Sequence, residues 1–154
     1  MKKYELTNET NLYSNITLYR IKALVDIPRY GVVAGDLGGW IEKEDNLSQD
    51  GDAWVCGNAQ VYDSARVYGG KWEAAPLYIN CGLVQYPFCV SAKDDNDNIT
   101  HITIGCQTHT LTKWRDNFAT IAKTYGITND EIKIYAQYYN LAASLYGFEP
   151  WITQ

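Results

Sequence analysis

A thiol and an imidazole lie three residues apart in Cys106-Gln107-Thr108-His109. Zinc ligands use that spacing, and Cys81 and Cys89 could complete a set of four. Structural zinc takes two tight pairs, however, and Cys81 and Cys89 stand eight residues apart, so no metal is expected. The same two groups could serve as nucleophile and base, but closeness in sequence does not align them and no third orienting group is evident. Cys106 reads instead as a buried residue ending a strand. His109 precedes Thr110, a residue able to cap a helix, where free backbone N–H groups and the positive end of the helix dipole can meet an anion. Lys113 and Arg115 follow within the first turns of that helix.

The other groups suited to recognition are aromatic. The 154-residue chain carries 5 Trp and 13 Tyr against only 3 Phe, so its rings can face both apolar contacts and water. Such rings either form a recognition surface or cover the sides of strands. Trp54, Trp72 and Tyr78 could stack on bases, while Arg66, Lys71, His109, Thr110, Lys113 and Arg115 could meet phosphates. The net charge of −5 disfavours broad binding to nucleic acid or to anionic lipid. Asp94-x-Asn96-x-Asn98 opens like a calcium loop, but Ile99 replaces the required Gly and Gly105 stands where the bidentate Glu belongs. Calcium is rejected, and no cofactor is expected.

These residues must be held by elements that the sequence also announces. Gly51-Asp-Ala-Trp-Val-Cys56, Gly57-Asn-Ala-Gln-Val-Tyr62 and Asp63-Ser-Ala-Arg-Val-Tyr68 repeat with a period of six. Ala recurs at 53, 59 and 65 and Val at 55, 61 and 67, the pattern of a left-handed parallel β-helix in which three hexapeptides make one triangular coil. One coil cannot bury its own faces, so flanking segments must cover it. One further side would set Trp72 over Trp54 on the outer surface, and Glu73 would then break the inward pattern set by Val55.

The flanks divide the chain further, within one domain spanning 1–154. Residues 1–50 read as an N-terminal β cap, with strands at Thr17 to Leu24 and from Val32, and with a tight bend at Gly35 to Gly39. The hexapeptide coil occupies 51–72. Across 73–109, Pro76 to Ile79, Gln85 to Val90 and Ile99 to Ile104 read as antiparallel strands with a turn at Asp94 to Asn98. Residues 110–147 read as a helical hairpin. Thr110 caps the first helix, with Trp114, Phe118, Ile121, Ala122 and Tyr125 on one face. Thr128-Asn-Asp-Glu131 is a capping box for the second, with Ile132, Tyr135, Tyr139, Ala142 and Leu145 inward and Gly147 as its stop. The expected fold is therefore mainly β with α: a very short left-handed β-helix with an N-terminal β cap and a C-terminal β-sheet plus helical hairpin.

Leu18-Tyr-Arg-Ile-Lys-Ala-Leu24, Ala34-Gly-Asp-Leu-Gly-Gly-Trp-Ile-Glu42 and the Gly-Asn-Ala-x-Val repeats resemble a family of phage and prophage hexapeptide-repeat proteins. Pro76-Leu-Tyr-Ile79, Ile102-Thr-Ile-Gly-Cys-Gln-Thr-His-Thr110 and Trp114 follow in the order that family shows. The resemblance implies a viral or prophage origin and a β-helix with an α/β tail; it supplies no catalytic residue. Left-handed β-helices often serve as acyltransferases, but the enzymes that resemble them place a His between stacked coils, and this coil has none.

The opening MKKYELTNET has no apolar stretch after its lysines, and no apolar run approaches the roughly 20 residues of a membrane helix. Cys56, Cys81, Cys89 and Cys106 are irregularly spaced and read as free thiols, so a cytoplasmic location in a bacterial host cell is expected. The expected function is that of a non-enzymatic counter-defence protein, a sponge for a small nucleotide-derived immune signal. The alternatives are a protein-binding inhibitor of a host defence complex, resembling an anti-CRISPR, or a structural self-assembling module. Homo-oligomerisation fits all three, because uncovered coil ends invite pairing.

Overall fold

The computed structural model describes residues 1–151; the last three positions of the 1–154 range lie outside the described residues. Contacts divide the chain into two compact units, Met1–Pro76 and a second that starts at Leu77.

In the first unit, β1 (Tyr4–Tyr13) and β2 (Ile16–Ala23) form an antiparallel hairpin, and β2 pairs antiparallel with β3 (Leu37–Ile41). Ser14 and Asn15 take left-handed backbone angles at the hairpin tip, matching the right-handed strand twist in a two-residue turn. β3 then pairs in parallel with β5 (Gln60–Val61), Trp40 opposite Gln60 and Ile41 opposite Val61. β4 (Trp54–Val55) and β6 (Lys71–Trp72) make a separate two-stranded parallel sheet.

The expected left-handed β-helix is not formed: among the described residues no sheet is closed or solenoid-like, and the sheets are several and small. Each hexapeptide offers at most two residues of strand. Gln60–Val61 is drawn to the hairpin sheet and Trp54–Val55 to β6, while Asp63 to Tyr68 contributes only a parallel bridge between Leu47 and Val67. Residues 1–50 thus supply the main sheet of the unit rather than a cap on a coil. The repeat's small and branched positions are nevertheless buried: Ala53, Ala59, Ala65, Val55, Val61 and Val67 are all at most 3% exposed.

Two local expectations also change. Val32 makes only a bridge to Ile27, and the bend expected over Gly35 to Gly39 turns only at its start, at Ala34-Gly35, with strand β3 already formed from Leu37. A Cβ on Gly38 would lie 2.6 Å from both Ile21 Cγ1 and the Val55 carbonyl oxygen, and one on Gly39 would lie 2.6 Å from Val55 Cγ1. These glycines permit close packing of a strand instead of turning it.

In the second unit a four-stranded antiparallel sheet has the order β10 (Gln107–Thr110), β9 (Ile99–Ile104), β8 (Phe88–Lys93), β7 (Tyr78–Ile79). The Asp94 carboxylate accepts the Asn96 and Asn98 N–H groups and closes the β8–β9 turn. Helix α1 (Leu111–Thr124) buries Trp114, Phe118 and Ala122; α2 (Asn129–Tyr146) buries Tyr135, Ala136, Tyr139, Ala142 and Ala143. Leu145, expected inward, is 61% exposed, because the face that packs runs through Ala142 and Ala143 instead. No helix among the described residues is long and apolar enough to cross a membrane.

α2 starts as its sequence requires. Thr128 Oγ1 accepts the Glu131 N–H, and the Glu131 carboxylate accepts the Thr128 N–H at 2.8 Å. Those hydrogen bonds, with others from Gln85, hold the Glu131 carboxyl down at about 2. Thr128→Ala is expected to cost about 1 kcal/mol in denaturant unfolding. A loss below the error of the measurement would show that tertiary packing alone fixes this helix start.

Candidate functional site

The polar residues at the start of α1 are placed by β10. In its ladder with β9, His109 stands opposite Ile102, and the Trp114 indole N–H donates to the Ile102 carbonyl at 2.7 Å. The His109 ring meets the Trp114 ring near edge-on, with centroids 4.9 Å apart, and its Nε2 lies 3.1 Å from Gln107 Oε1. Burial, then the positive Lys113, then His101, hold the His109 pKa below the usual range, so the imidazole is neutral at pH 7. Thr110 Oγ1 accepts the Lys113 N–H at 3.2 Å, the expected N-cap.

Beside these residues is a narrow, mainly apolar pocket of about 20 Å³. Tyr86, Trp114 and Tyr125 supply its aromatic surface and Ile104, Ile121 and Ile127 its aliphatic surface; Gly105, Cys106 and Gln107 also line it. Gln107 therefore connects the pocket lining to the His109 ring. Cys106, expected to be buried at a strand end, is exposed in the turn between β9 and β10. The turn places its side chain at the surface because the ladder closes at Ile104 and Gln107. Among the described residues no three His, Cys, Asp or Glu side chains are grouped to hold a metal ion.

The remaining candidates are dispersed. Tyr78 lies on β7, at the opposite edge of the sheet from β10, and Arg115 approaches Glu149 at 3.4 Å and Asp116 at 3.6 Å. Trp54, Arg66, Lys71 and Trp72 belong to the first unit. Lys71 Nζ is 3.6 Å from Glu73, and the Arg66 guanidinium reaches the Tyr68 hydroxyl at 3.4 Å. The outward Trp54–Trp72 ladder requires correction. Trp72 pairs with Val55 rather than Trp54, so the chain advances 17 positions instead of 18. Trp72 thereby takes the inward place that Glu73 could not fill, and both indoles are buried, 1% and 3% exposed, with no face open to a base.

Lys3 escaped the sequence reading, since two lysines at a chain start carry no pattern that announces burial. Its residue is only 4% exposed, and its ammonium donates to the Ala53 carbonyl at 2.7 Å and to the Asp50 carbonyl at 3.4 Å. Burial pushes its pKa down to about 8 against the opposing pull of Asp52 and Asp50. The Ser91–Thr103–Thr108 hydroxyl chain, buried at Ser91 and Thr103 and with both links 2.8 Å long, was also missed because hydroxyl pairing depends on strand register.

Part of the chain is similar to a bacterial protein named as a transferase. It is 35% identical over 78 residues to "Uncharacterized acetyltransferase YdcK" of Escherichia coli (strain K12), a match covering 45% of this chain and 23% of that protein. The chain thus spans about a quarter of the relative it matches. No family model matches, and no solved structure matches. The expectation that the protein is not an enzyme is overturned here, because the similarity points to a protein named for catalysis. The lack of a histidine in the repeat was too narrow a ground for that expectation.

Proposed function

We propose that the second unit binds a small nucleotide-derived molecule, its planar ring stacking against Tyr86 and Tyr125 at the rim of their pocket. The observation that carries this reading is the convergence of two accessible tyrosines, Tyr86 and Tyr125, on one pocket beside the start of α1. The pocket itself has room of only about 20 Å³, so the ring lies against its open rim and most of the ligand stays outside. Lys113, exposed in the first turn of α1, supplies the positive charge for an anionic tail. His109 is neutral at pH 7 and acts there as a hydrogen-bonding group through its free ring nitrogen.

Two forms of ligand fit this chemistry. One is the nucleotide-derived immune signal of a phage counter-defence protein, suggested by the family resemblance. The other is a nucleotide thioester that carries an acyl group, favoured by similarity to a protein named an acetyltransferase. Calorimetry against cyclic dinucleotides, ADP-ribose-derived nucleotides and acetyl-coenzyme A separates them. Tyr125→Ala, a change at a ring 38% exposed, is expected to weaken the binding found by roughly 5- to 100-fold. No heat with any of these compounds would remove the proposal.

A further inference from the structure

The first unit contains a second, open concavity of about 330 Å³, lined among others by Lys3, Asp26, Arg29, Gln49, Gly51 and Asp52. Lys3 is anchored to the loop that forms this wall: its amine donates to the carbonyls of Asp50 and Ala53, which flank the lining residues Gly51 and Asp52. The Gln49 amide oxygen accepts the Lys3 backbone N–H at 2.8 Å, fixing the chain from which the side chain extends. Other charges around the pocket are already engaged. Arg29 is paired with Asp52, and Asp26 accepts the Ala34 N–H at 2.9 Å.

We propose that Lys3 is an acyl-acceptor site, its amine taking the acyl group of a small acyl thioester that enters this pocket. In the step, the unprotonated amine of Lys3 attacks the thioester carbonyl carbon. The new N–C bond forms, the C–S bond breaks, and the thiolate leaves with the bonding pair. The proton lost from nitrogen ends on the departing sulfur, so the products are an amide and a free thiol.

Three features favour Lys3 over the other lysines. First, the 2.7 Å bond to Ala53 needs only one N–H, which the product amide still provides. Second, Lys3 lines a concavity whose volume of about 330 Å³ exceeds that of a small acyl group. Third, burial lowers the proton affinity of this amine, while the carboxylates of Asp50 and Asp52 moderate the effect. The free-amine fraction at neutral pH is then on the order of 10²-fold that of an ordinary lysine. Lys2, next in sequence, is exposed and ion-paired with Glu44 at 2.6 Å, and Lys133 is exposed beside Asp130 at 3.2 Å. Acylation also removes a charge that burial disfavours, so the modified protein should unfold at a higher temperature.

The test treats the full chain with an S-acetyl thioester of a small thiol and follows each lysine by peptide mass mapping, with fragment sequencing to separate Met1, Lys2 and Lys3. Lys3 is expected to be acetylated at least tenfold faster than Lys2 and Lys133 near neutral pH, and the preference should vanish in guanidinium. Its rate should level off above about pH 8, whereas the surface lysines continue to gain to beyond pH 10. Acetylation of Lys3 no faster than of Lys133 would overturn the proposal, and so would a preference that persists in denaturant.

Discussion

Gly38→Val is expected to destabilise the first unit by more than 3 kcal/mol, so that its thermal unfolding midpoint falls sharply. Any Cβ at this position meets three neighbours at once: Ile21 Cγ1 and the Val55 carbonyl oxygen at 2.6 Å, and Trp54 Cζ2 at 2.7 Å. A flexible side chain could yield, but none of these can. Ile21 and Val55 are fully buried and Trp54 is 1% exposed, while the contact at Val55 is with the main chain itself. Relief requires β3 to move away from β4, disturbing the parallel pairing of β3 with β5. The control is Gly82→Ala, where no atom lies within 4 Å of the added Cβ and the change should stay within about 0.5 kcal/mol. A Gly38→Val protein that melts with the wild type would show that β3 is not packed as described.

The same glycine marks a limit of sequence reading. Gly-Gly looks like a turn, since the permissive backbone is a local property, whereas the need for an absent side chain comes from residues 16 and 17 positions away. Local signals were legible where one residue settles the matter. Thr110 and Thr128 cap the two helices, Gly147 ends the second in a left-handed conformation, and Asp94 closes its turn. The 3.6-residue spacing of Trp114, Phe118 and Ala122 likewise identified a buried face. β1 was not legible, because YELTNETNLY alternates poorly and most of the strand is exposed at a sheet edge.

The repeat identified its buried positions but not its architecture. Ala and Val at a spacing of six state which side chains go inward; they do not state which strands pair, and here each pair is made with a different segment. A register one residue short is enough to exchange the roles of Trp72 and Glu73. The positions of His109, Thr110 and Lys113 at the start of α1 were legible from the capping residue. Tyr86, Tyr125 and Gln107 were not, because they line the pocket only after the sheet and helices have folded together.

Stability should increase between about pH 8 and pH 10, chiefly through Lys3, and then decline as tyrosines with raised pKa values, among them Tyr4, Tyr135 and Tyr138, hold their protons in the folded state. Lys3 has a folded pKa of about 8, below its unfolded value near 10.4. Below pH 8 both states hold the proton and the folded state carries the full cost of burying the charge. Across the window the unfolded chain binds more protons, so stability rises with pH by up to about 3 kcal/mol; above it neither state is charged and the cost is gone. Tyr4, whose hydroxyl donates to the Leu47 carbonyl at 2.6 Å, has its pKa raised above the usual range first by burial and then by Glu44 and Asp45. Above about pH 10 the unfolded tyrosine ionises while the folded one keeps its proton, and stability falls. Cys81 adds a rise of the same sign below pH 9, since its thiol pKa is lowered chiefly by the Tyr138 hydroxyl. Denaturant unfolding of wild type beside Lys3→Met isolates the lysine, because Cys81 and Tyr4 are present in both. The variant should lose most of the rise between pH 8 and 10 while keeping the decline above it. Equal slopes in the two proteins would mean that the Lys3 ammonium is solvated in the folded state, and the amine chemistry assigned to it would then lose its physical basis.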